Sequence, residues 1–351
     1  MNGESMKIHD FFQNKKKNYI IAEISQNHDG SLGQAHAFID AVAETGADAI
    51  KFQTHIAEEE STPDEPFRVN FSYCDKTRYD YWKRMEFTPE QWQGLYDHAV
   101  EKGLDFLSSP FSAAALEMLD KIGIPAWKFG SGEVFNDLLL KRAIDTGKPI
   151  ILSTGLSTLD EIDKQVKMVW EAGNSLLLME CTTAYPSKPE EIPIKMIERY
   201  QKRYHCPIGI SDHSATIYPS LAAVALGARA VEVHVTMSRE MFGPDVRASV
   251  TIKELKQIVD GTEFIGRMLE VQEDKSELQD NKKKLRTIFS KSIYAKRDLK
   301  AGETLNDDCL GIKKPFCADS IVVEDFNKVL GKRILMDIAK DTVIKWENVD
   351  K

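Results

Sequence analysis

Residues 207–213 read PIGISDH, a short apolar run that ends in three polar residues. The pattern recurs at AVEVHVT (230–236), which carries Glu232 and His234 inside an otherwise apolar run. Near-continuous apolar runs of this length are typical of parallel strands that are buried on both faces. Both stretches therefore predict strands of a parallel sheet, with chemically active side chains at or near their carboxyl ends.

Six further apolar runs precede these two. They are YIIAEIS (19–25), AIKFQTHI (49–56), LDFLSSP (104–110), AWKFGSG (126–132), PIILSTG (149–155) and SLLLMECTTAY (175–185). Amphipathic helical segments follow the strands, and the last is predicted at 252–270. Eight strand–helix units in about 270 residues predict a (β/α)8 TIM barrel, an α/β fold of ~250 residues. A doubly wound sheet is the alternative, but its glycine-rich phosphate turn is missing after the first strand.

The texture of the sequence changes after the eighth unit. Residues 271–286 are polar and charge-dense, which predicts an exposed linker or linker helix. Beyond it, DLKAGETLNDDCL (298–310) is echoed by DIAKDTVIKWENV (337–349), which suggests two copies of one small β unit. We therefore predict a catalytic barrel over 1–270, a linker over 271–286, and a small β-rich domain over 287–351.

Composition restricts the class of partner. The 351 residues are 42% hydrophobic and 29% charged, with a formal net charge of -9. An acidic chain does not offer the basic field that nucleic acid binding needs. Five scattered cysteines without a Cys-x-x-Cys pair favour a reducing compartment. The opening 20 residues lack the apolar segment of a signal peptide, so we expect a cytoplasmic protein without membrane spans.

All eight predicted strands end in polar or ionisable residues. In a TIM barrel these ends meet on one face, where active sites lie. Two lysines, Lys51 and Lys128, lie within apolar strands, and an unpaired buried ammonium is costly. Glu23, Glu133 or Glu232 could be structural ion-pair partners. Alternatively, the lysines and the neighbouring hydroxyl groups form a cradle for phosphate and carboxylate on one small ligand.

Two histidines end adjacent strands. A single histidine at a strand end is more often a core or rim residue, but His213 and His234 are predicted to face one opening. Two imidazoles leave coordination positions open for water and substrate. This arrangement suits a catalytic divalent ion better than a closed structural zinc site.

Taken in order, the strand-end motifs resemble the sialic acid synthase family. The matching stretches are IAEISQNHDGSL, IKFQTH, FLSSPF, WKFGSGE, ILSTG, CTTAYP, GISDHS and VEVHVT…FGPD. The C-terminal region resembles the family's antifreeze-like (SAF, β-clip) domain. The resemblance implies a phosphoenolpyruvate-dependent transferase that makes a nine-carbon nonulosonic acid from an N-acylated amino sugar. It also implies a domain-swapped homodimer in which each small domain closes the partner's site.

The resemblance assigns roles to individual residues. Lys51 and Ser109 would hold the phosphoenolpyruvate carboxylate. The phosphate would be held by Lys128, Ser131, Ser153, Thr183 and Ser211. The acceptor-sugar pocket would be lined by Gln53, Phe111, Tyr185, Asp245 and, from the partner chain, Lys314.

The chemistry implied by the resemblance needs a metal and a proton donor. His213 and His234 would bind Mn²⁺ or Mg²⁺, which polarises the sugar aldehyde. Glu23 and Glu232 would lie near the reacting atoms. Glu23 and a water on the metal are alternative candidates for the proton transfers.

Two positions depart from the family pattern. Thr183 stands where many members have Asn, and a threonine hydroxyl can still donate to phosphate. IKKPFCAD (312–319) replaces Lys-Arg-Pro-Gly-Asn-Gly, so Lys314 occupies the place of an arginine that contacts the sugar's acyl group. Lysine lacks the bidentate guanidinium. The acceptor therefore stays open between N-acetylmannosamine and a 2,4-diacetamido-2,4,6-trideoxyhexose, and the product between N-acetylneuraminate, legionaminate-type and pseudaminic acids.

Other functions are weighed against this interpretation. A metal-dependent hydrolase on the same barrel would usually gather more ligands and leaves the two lysines unexplained. An octulosonate-type synthase does not account for the appended β domain. A non-catalytic carbohydrate-binding homologue would be favoured if the polar strand ends were missing, and they are present.

Overall fold

The chain consists of two compact units, Met1–Val271 and Gln272–Lys351. A computed structural model describes residues 7–67, 69–272 and 276–351. Among these residues, no helix combines the length and the apolar character that crossing a bilayer requires.

Eight parallel strands form the sheet of the first unit. They are β1 (Tyr19–Ser25), β2 (Ala49–Thr54), β3 (Asp105–Pro110), β4 (Trp127–Phe129), β5 (Ile150–Ser153), β6 (Leu176–Cys181), β7 (Ile208–Asp212) and β8 (Ala230–Thr236). Their spatial order is β3-β2-β1-β8-β7-β6-β5-β4, and β3 and β4, the two ends of that order, lie side by side. The sheet is therefore a nearly closed barrel, and the predicted TIM fold is confirmed. A short strand, β9 (Val250–Thr251), pairs with β8.

The helices that follow the strands lie outside the sheet and bury their apolar faces against it. The helices described in this unit are α1 (Lys7–Gln13), which precedes β1, and α2 (Leu32–Ala43), α3 (Ala57–Glu60), α4 (Arg78–Met85), α5 (Pro89–Glu101), α6 (Ala113–Ile122), α7 (Asp137–Asp145), α8 (Leu159–Glu171), α9 (Met196–Arg203), α10 (Tyr218–Ala225) and α11 (Ile252–Leu269). Single 3-10 turns occur at Pro189–Glu191 and Val246–Ala248. Helix α5 begins with a capping box, because Thr88 and Gln91 each bond the other's backbone N–H.

Helix α1 was not predicted, and it fills the amino-terminal end of the barrel. Ile8 and Phe11 are fully buried among the inward-facing residues of the strands. Asp105, at the start of β3, accepts hydrogen bonds from the Ile8 N–H (2.7 Å) and the Tyr19 hydroxyl (2.7 Å). The helix therefore packs into the end of the barrel opposite the expected active site.

The segment between β2 and α5 carries α3 and α4 and an aromatic cluster. Arg84 of α4 connects this segment to the loop after β1, because its Nη1 lies 2.6 Å from Asp29 Oδ1. Its Nη2 lies 2.9 Å from Oδ2 of Asp75, which belongs to the segment itself. These charge-assisted contacts bring the side chains of the insertion to the carboxyl ends of the strands.

The second unit is a small β domain. It contains α12 (Asp280–Phe289), the antiparallel pair β10 (Ser292–Ala295) and β11 (Leu310–Lys313), and α13 (Phe326–Val329), with 3-10 turns at Val323–Asp325 and Trp346–Asn348. Helix α12 overlaps the segment predicted as a linker or linker helix over 271–286. Residues 273–275 of that prediction lie outside the described residues.

The two echoed stretches of this unit bond to each other reciprocally. Asp298 Oδ1 accepts from the Lys340 N–H (2.7 Å), and Asp337 Oδ1 accepts from the Ala301 N–H (2.9 Å). Leu299 and Ile338 form an antiparallel bridge between the two stretches, and both are buried in the core of the unit. The sequence echo thus corresponds to two structural copies that face each other.

Candidate active site

The carboxyl ends of β1 to β8 gather the predicted polar side chains at one opening, which we call the mouth. Strand register sets their neighbours: Glu23 lies beside Lys51, and Ser211 beside Glu232. Gln53 and Ser109 are likewise paired across β2 and β3.

Four buried charges form a continuous network at the mouth. Lys51 forms an ion pair with Glu23, and its Nζ lies 3.7 Å from Glu232 Oε1. Lys128 Nζ lies 3.4 Å from the same Glu232 oxygen, and the side chains of all four residues are at most 4% exposed. Glu23 and Glu232 are therefore the carboxylate partners of the two lysines. Glu133 instead accepts a hydrogen bond from Asn136 Nδ2 at 3.2 Å.

Burial and neighbouring charge set the protonation states of this network. Burial opposes the charge on Glu232, but Lys128 and Lys51 outweigh it and lower its pKa. Burial raises the pKa of Glu23, with Lys51 working against that shift and Glu232 adding to it. Burial also lowers the pKa of Lys128, whereas Glu23 and Glu232 raise that of Lys51. Glu23 is therefore the member of the network best suited to keep a proton near neutral pH.

A cluster of hydroxyl groups adjoins Lys128. Lys128 Nζ donates to Ser153 Oγ (2.8 Å), and Ser211 Oγ donates to Glu232 Oε1 (3.1 Å). Glycine at 155 allows Thr183 and Ser131 to approach its backbone closely, because a Cβ on it would lie 2.4 Å from Thr183 Oγ1, 2.6 Å from the Cys181 carbonyl oxygen and 2.8 Å from Ser131 Oγ. We call this group of side chains the hydroxyl cradle; it consists of Ser131, Ser153 and Thr183, packed around Gly155 beside Lys128. Donors converging on a cation are the chemistry that recognises an anion.

Gln53 links the network to a second set of side chains. Its Nε2 donates to Glu23 Oε1 (2.9 Å), and its Oε1 lies 3.4 Å from His55 Nε2. His55 Nδ1 contacts Glu60 Oε1 at 2.5 Å, which makes a buried imidazole–carboxylate pair. The Gln53 amide is thus fixed at both ends, by the Glu23 carboxylate and by the His55 ring.

His55 is also held between aromatic rings. Trp82 and Phe111 stack on it with ring centroids 3.9 Å and 4.3 Å away. The structure therefore joins Phe111, a predicted sugar-pocket residue, to residues that the sequence analysis left without a role. Glu60 and Trp82 come from the insertion after β2, and only the aromatic and acidic character of that segment hinted at them.

Asp245 approaches the mouth from the loop after β8. Ser25 Oγ donates to Asp245 Oδ2 at 2.5 Å, and Ser249 Oγ donates to the Asp245 carbonyl at 2.7 Å. Burial raises the pKa of Asp245, although the bond from Ser25 opposes that shift. Ser25, two residues after Glu23, was not predicted as a site residue.

The two predicted metal ligands lie close together. The ring centroids of His213 and His234 are 5.1 Å apart, and the Tyr185 ring lies 4.2 Å from that of His213. Burial lowers the pKa of each histidine to about 3, so both rings are neutral, which is the form that binds metals. His213 Nδ1 lies 2.9 Å from the Thr182 carbonyl, so it carries the proton and leaves Nε2 with a free lone pair.

This donor set fits a divalent ion with open coordination positions. His234 Nδ1 is a buried polar atom without a hydrogen-bond partner. Within the described residues, no group of three or more His, Cys, Asp or Glu side chains is arranged around one point. Two neutral imidazoles would therefore be the protein's contribution, with the remaining positions left to water and substrate.

Lys314 lies in the second unit, where its Nζ is 5.0 Å from the centroid of the Phe289 ring. It belongs to residues 312–319, the stretch that departs from the family pattern.

A second pair of carboxylates lies on the outer side of the same strands. Glu180 of β6 lies beside the hydroxyls of Tyr200 and Thr154, and burial raises its pKa to about 7. Asp212 of β7 accepts from the Ser214 N–H (2.8 Å), and burial raises its pKa to about 6. Both face the helices rather than the mouth.

The sequence model of the NeuB family matches residues 38–274, which include most of the first unit. The chain belongs to the NeuB family. A second model, for the SAF domain, matches residues 290–350, which confirms the predicted character of the second unit.

Relatives agree with membership of the NeuB family over nearly the whole chain. The chain is 32% identical to the N,N'-diacetyllegionaminic acid synthase of Campylobacter jejuni, covering 94% of this chain and 99% of that protein. It is also 32% identical to the N-acetylneuraminate-9-phosphate synthase of Mus musculus, covering 95% and 92%. A crystal structure of the N-acetylneuraminic acid (sialic acid) synthetase of Leptospira borgpetersenii, in complex with citrate, has a TM-score of 0.69 and 32% identity, covering 78% of this chain and 91% of that one.

Proposed function

We propose that this NeuB family member condenses phosphoenolpyruvate with an N-acylated amino sugar to give a nonulosonic acid and phosphate. The observation that carries the proposal is the buried Lys51–Glu23–Glu232–Lys128 network beside the hydroxyl cradle. Two cations next to converging hydroxyl donors suit a small ligand that carries two anionic groups, as phosphoenolpyruvate does.

In this proposal the two lysines divide the ligand between them. Lys51 and Ser109 hold the carboxylate. The phosphate occupies the hydroxyl cradle and is bound by Lys128, Ser131, Ser153, Thr183 and Ser211. Because Lys128 already donates to Ser153, its ammonium is oriented toward the cradle before the ligand arrives.

The metal is proposed to be Mn²⁺ or Mg²⁺, held by His213 and His234. When bound, it would act as a Lewis acid on the aldehyde of the acceptor sugar. Tyr185 packs against the His213 ring and would limit the access of bulk water to that side of the mouth.

The bond changes in the proposed reaction balance. The C2–C3 electron pair of phosphoenolpyruvate forms the new bond to the aldehyde carbon, and the aldehyde oxygen takes up a proton. Water then adds at C2 and releases one proton, which replaces the proton taken up by the aldehyde oxygen. Phosphate leaves with the remaining hydroxyl proton as its C2–O bond breaks, and C2 becomes a carbonyl. Glu23, which burial keeps protonated to a higher pH than usual, is the proposed proton donor. Glu232, held ionised by two lysines, is proposed to stabilise positive charge that develops at C2.

The acceptor is proposed to bind between Gln53, Phe111, Tyr185 and Asp245. N-acetylmannosamine would give N-acetylneuraminate, and a 2,4-diacetamido-2,4,6-trideoxyhexose would give a legionaminate-type or pseudaminic acid. We further propose a homodimer in which Lys314 of one protomer reaches the mouth of its partner. Exposed apolar side chains on the second unit, including Met336 and Trp346, support an interface there.

The test is phosphate release from phosphoenolpyruvate in the presence of Mn²⁺. N-acetylmannosamine is compared with 2,4-diacetamido-2,4,6-trideoxymannose and its 2,4-diacetamido-2,4,6-trideoxyaltrose epimer. Turnover with one sugar identifies the acceptor, and His213→Ala is expected to abolish it. Size-exclusion chromatography with light scattering reports the oligomeric state.

Two outcomes would contradict the proposal. Phosphate release that does not depend on any sugar would indicate a hydrolase. Saturable sugar binding by calorimetry without phosphate release, from folded protein, would favour a non-catalytic carbohydrate-binding protein.

A further inference from the structure

Strand β1 ends in a backbone irregularity at Ser25. The register between β1 and β2 shifts between Glu23 and Ser25, which marks a β-bulge, and Ser25 has φ +51°. At this left-handed conformation glycine is the residue without a steric penalty. A serine at such a position is strained, so a favourable contact of its side chain must offset the strain.

The contact that the conformation permits is with Asp245. The bulge turns the Ser25 hydroxyl toward the loop after β8, where Oγ donates to Asp245 Oδ2 at 2.5 Å. Ser25 is 1% exposed, so this donor is not available to bulk water. Without it, Asp245 Oδ2 would lose a charge-assisted hydrogen bond in a site largely shielded from solvent.

A second residue of the same segment holds the other side of Asp245. Asn27 Nδ2 donates to the Val235 carbonyl (2.7 Å) and to Ser249 Oγ (3.0 Å), and Ser249 Oγ donates to the Asp245 carbonyl. The Asp245 backbone is therefore fixed through Asn27 and Ser249. Ser25, in contrast, bonds to the Asp245 carboxylate itself.

We propose that Ser25 is a positioning residue for acceptor-sugar specificity, which orients the Asp245 carboxylate by occupying Oδ2. Oδ1 is then left to accept a hydrogen bond from a hydroxyl or an amide N–H of the sugar. This inference rests on the proposed function, because it takes Asp245 as a sugar-binding group. It predicts that loss of the Ser25 hydroxyl weakens sugar binding and leaves phosphoenolpyruvate binding unchanged.

Two substitutions separate the hydroxyl from the backbone. Ser25→Ala removes the hydroxyl and keeps the strain, whereas Ser25→Gly removes both. Each is expected to raise the sugar KM about tenfold, the effect of losing one hydrogen bond to a charged group. The phosphoenolpyruvate KM should stay within about twofold. The Tm of Ser25→Gly should exceed that of Ser25→Ala by about 2 °C, because glycine adopts positive φ freely.

A matched control and a double variant complete the experiment. Ala215, with φ +57°, has the same kind of backbone conformation and carries no polar side-chain atom. Ala215→Gly should therefore leave the sugar KM within about twofold. In an Asp245→Ala background, which removes the acceptor, adding Ser25→Ala should change the sugar KM by less than about twofold, because both residues act through one contact.

The outcomes separate this proposal from the proposed function. If the wild type turns over no sugar, both fail together. If the wild type is active and both Ser25 variants keep its sugar KM, only the Ser25 proposal is overturned. It is also overturned if the KM values of both substrates rise in proportion to a fall in Tm, since that pattern indicates a purely structural role.

Discussion

Glu232 and Glu180 lie on the same barrel and are both buried, but their pKa values are shifted in opposite directions. Glu232 faces the mouth, where Lys128 and Lys51 lower its pKa below the usual value. Glu180 faces the helices, where hydroxyl groups and a backbone N–H adjoin it, and burial raises its pKa to about 7. Burial penalises both charges, and only a cation reverses the outcome. The two lysines of the mouth therefore keep Glu232 ionised despite its burial.

The largest expected effect comes from the same substitution made on the two faces. Glu232→Gln leaves Lys51 and Lys128 facing each other without their shared anion, so we expect kcat for phosphate release to fall by at least about 1,000-fold. Glu180→Gln, the matched control, should keep kcat within about threefold. Equal losses of kcat in the two variants would show that catalysis does not depend on the ionised network.

The hydroxyl cradle gives a steric test of the same region. Gly155→Ala would place a Cβ 2.4 Å from Thr183 Oγ1 and 2.6 Å from the Cys181 carbonyl oxygen, so the cradle residues must shift and the phosphoenolpyruvate KM is expected to rise about 100-fold. Gly130→Ala is the control, because its added Cβ meets no atom within 4 Å. Steady-state kinetics with varied phosphoenolpyruvate measures both. A normal KM for Gly155→Ala would place the phosphate elsewhere.

The outer carboxylate predicts a pH dependence of stability. In the unfolded chain Glu180 titrates near 4.5, whereas in the folded protein its pKa is about 7. Between these values the folded state binds more protons, so this group's contribution to stability falls as pH rises from about 4.5 to 7. Glu180→Gln should therefore gain on the order of 2 kcal/mol relative to wild type between pH 5 and pH 8. Urea unfolding at both pH values measures it; an unchanged difference would contradict the raised pKa.

The smallest effect is expected at the surface of the second unit. Lys300 Nζ lies 2.7 Å from Asp337 Oδ2, but the Lys300 side chain is 78% exposed. Water and salt screen such a pair, so Lys300→Met should change the Tm by less than about 1 °C. Calorimetry at low and high salt provides the check. A shift of several degrees would mean that this surface pair is as strongly coupled as the pairs at the mouth.

Periodicity and strand-end chemistry were sufficient to predict the architecture. The eight apolar runs corresponded to β1–β8, because a parallel sheet needs such runs and each was separated by an amphipathic helix. The network of Lys51, Glu23, Glu232 and Lys128 was foreseeable for the same reason: a lysine within an apolar strand requires an anionic partner.

The contacts that the sequence could not supply depend on distant segments. Helix α1 reads as an ordinary amphipathic turn, and only the barrel gives Ile8 and Phe11 a cavity to fill. Glu60 lies in an acidic run that is typical of a solvated loop, and its pairing with His55 depends on how the insertion folds back. The strain at Ser25 comes from a bulge, and nothing in the residue type announces it.

The reciprocal bonds of Asp298 and Asp337 bear on the origin of the second unit. Each copy donates one backbone hydrogen bond to the aspartate of the other and accepts one in return. The identical subunits of a twofold-symmetric dimer recognise one another in the same reciprocal way. The unit is in this sense a dimer fused into one chain. Fusion replaces an encounter between separate molecules by an effective local concentration, so its assembly no longer depends on how much protein is present.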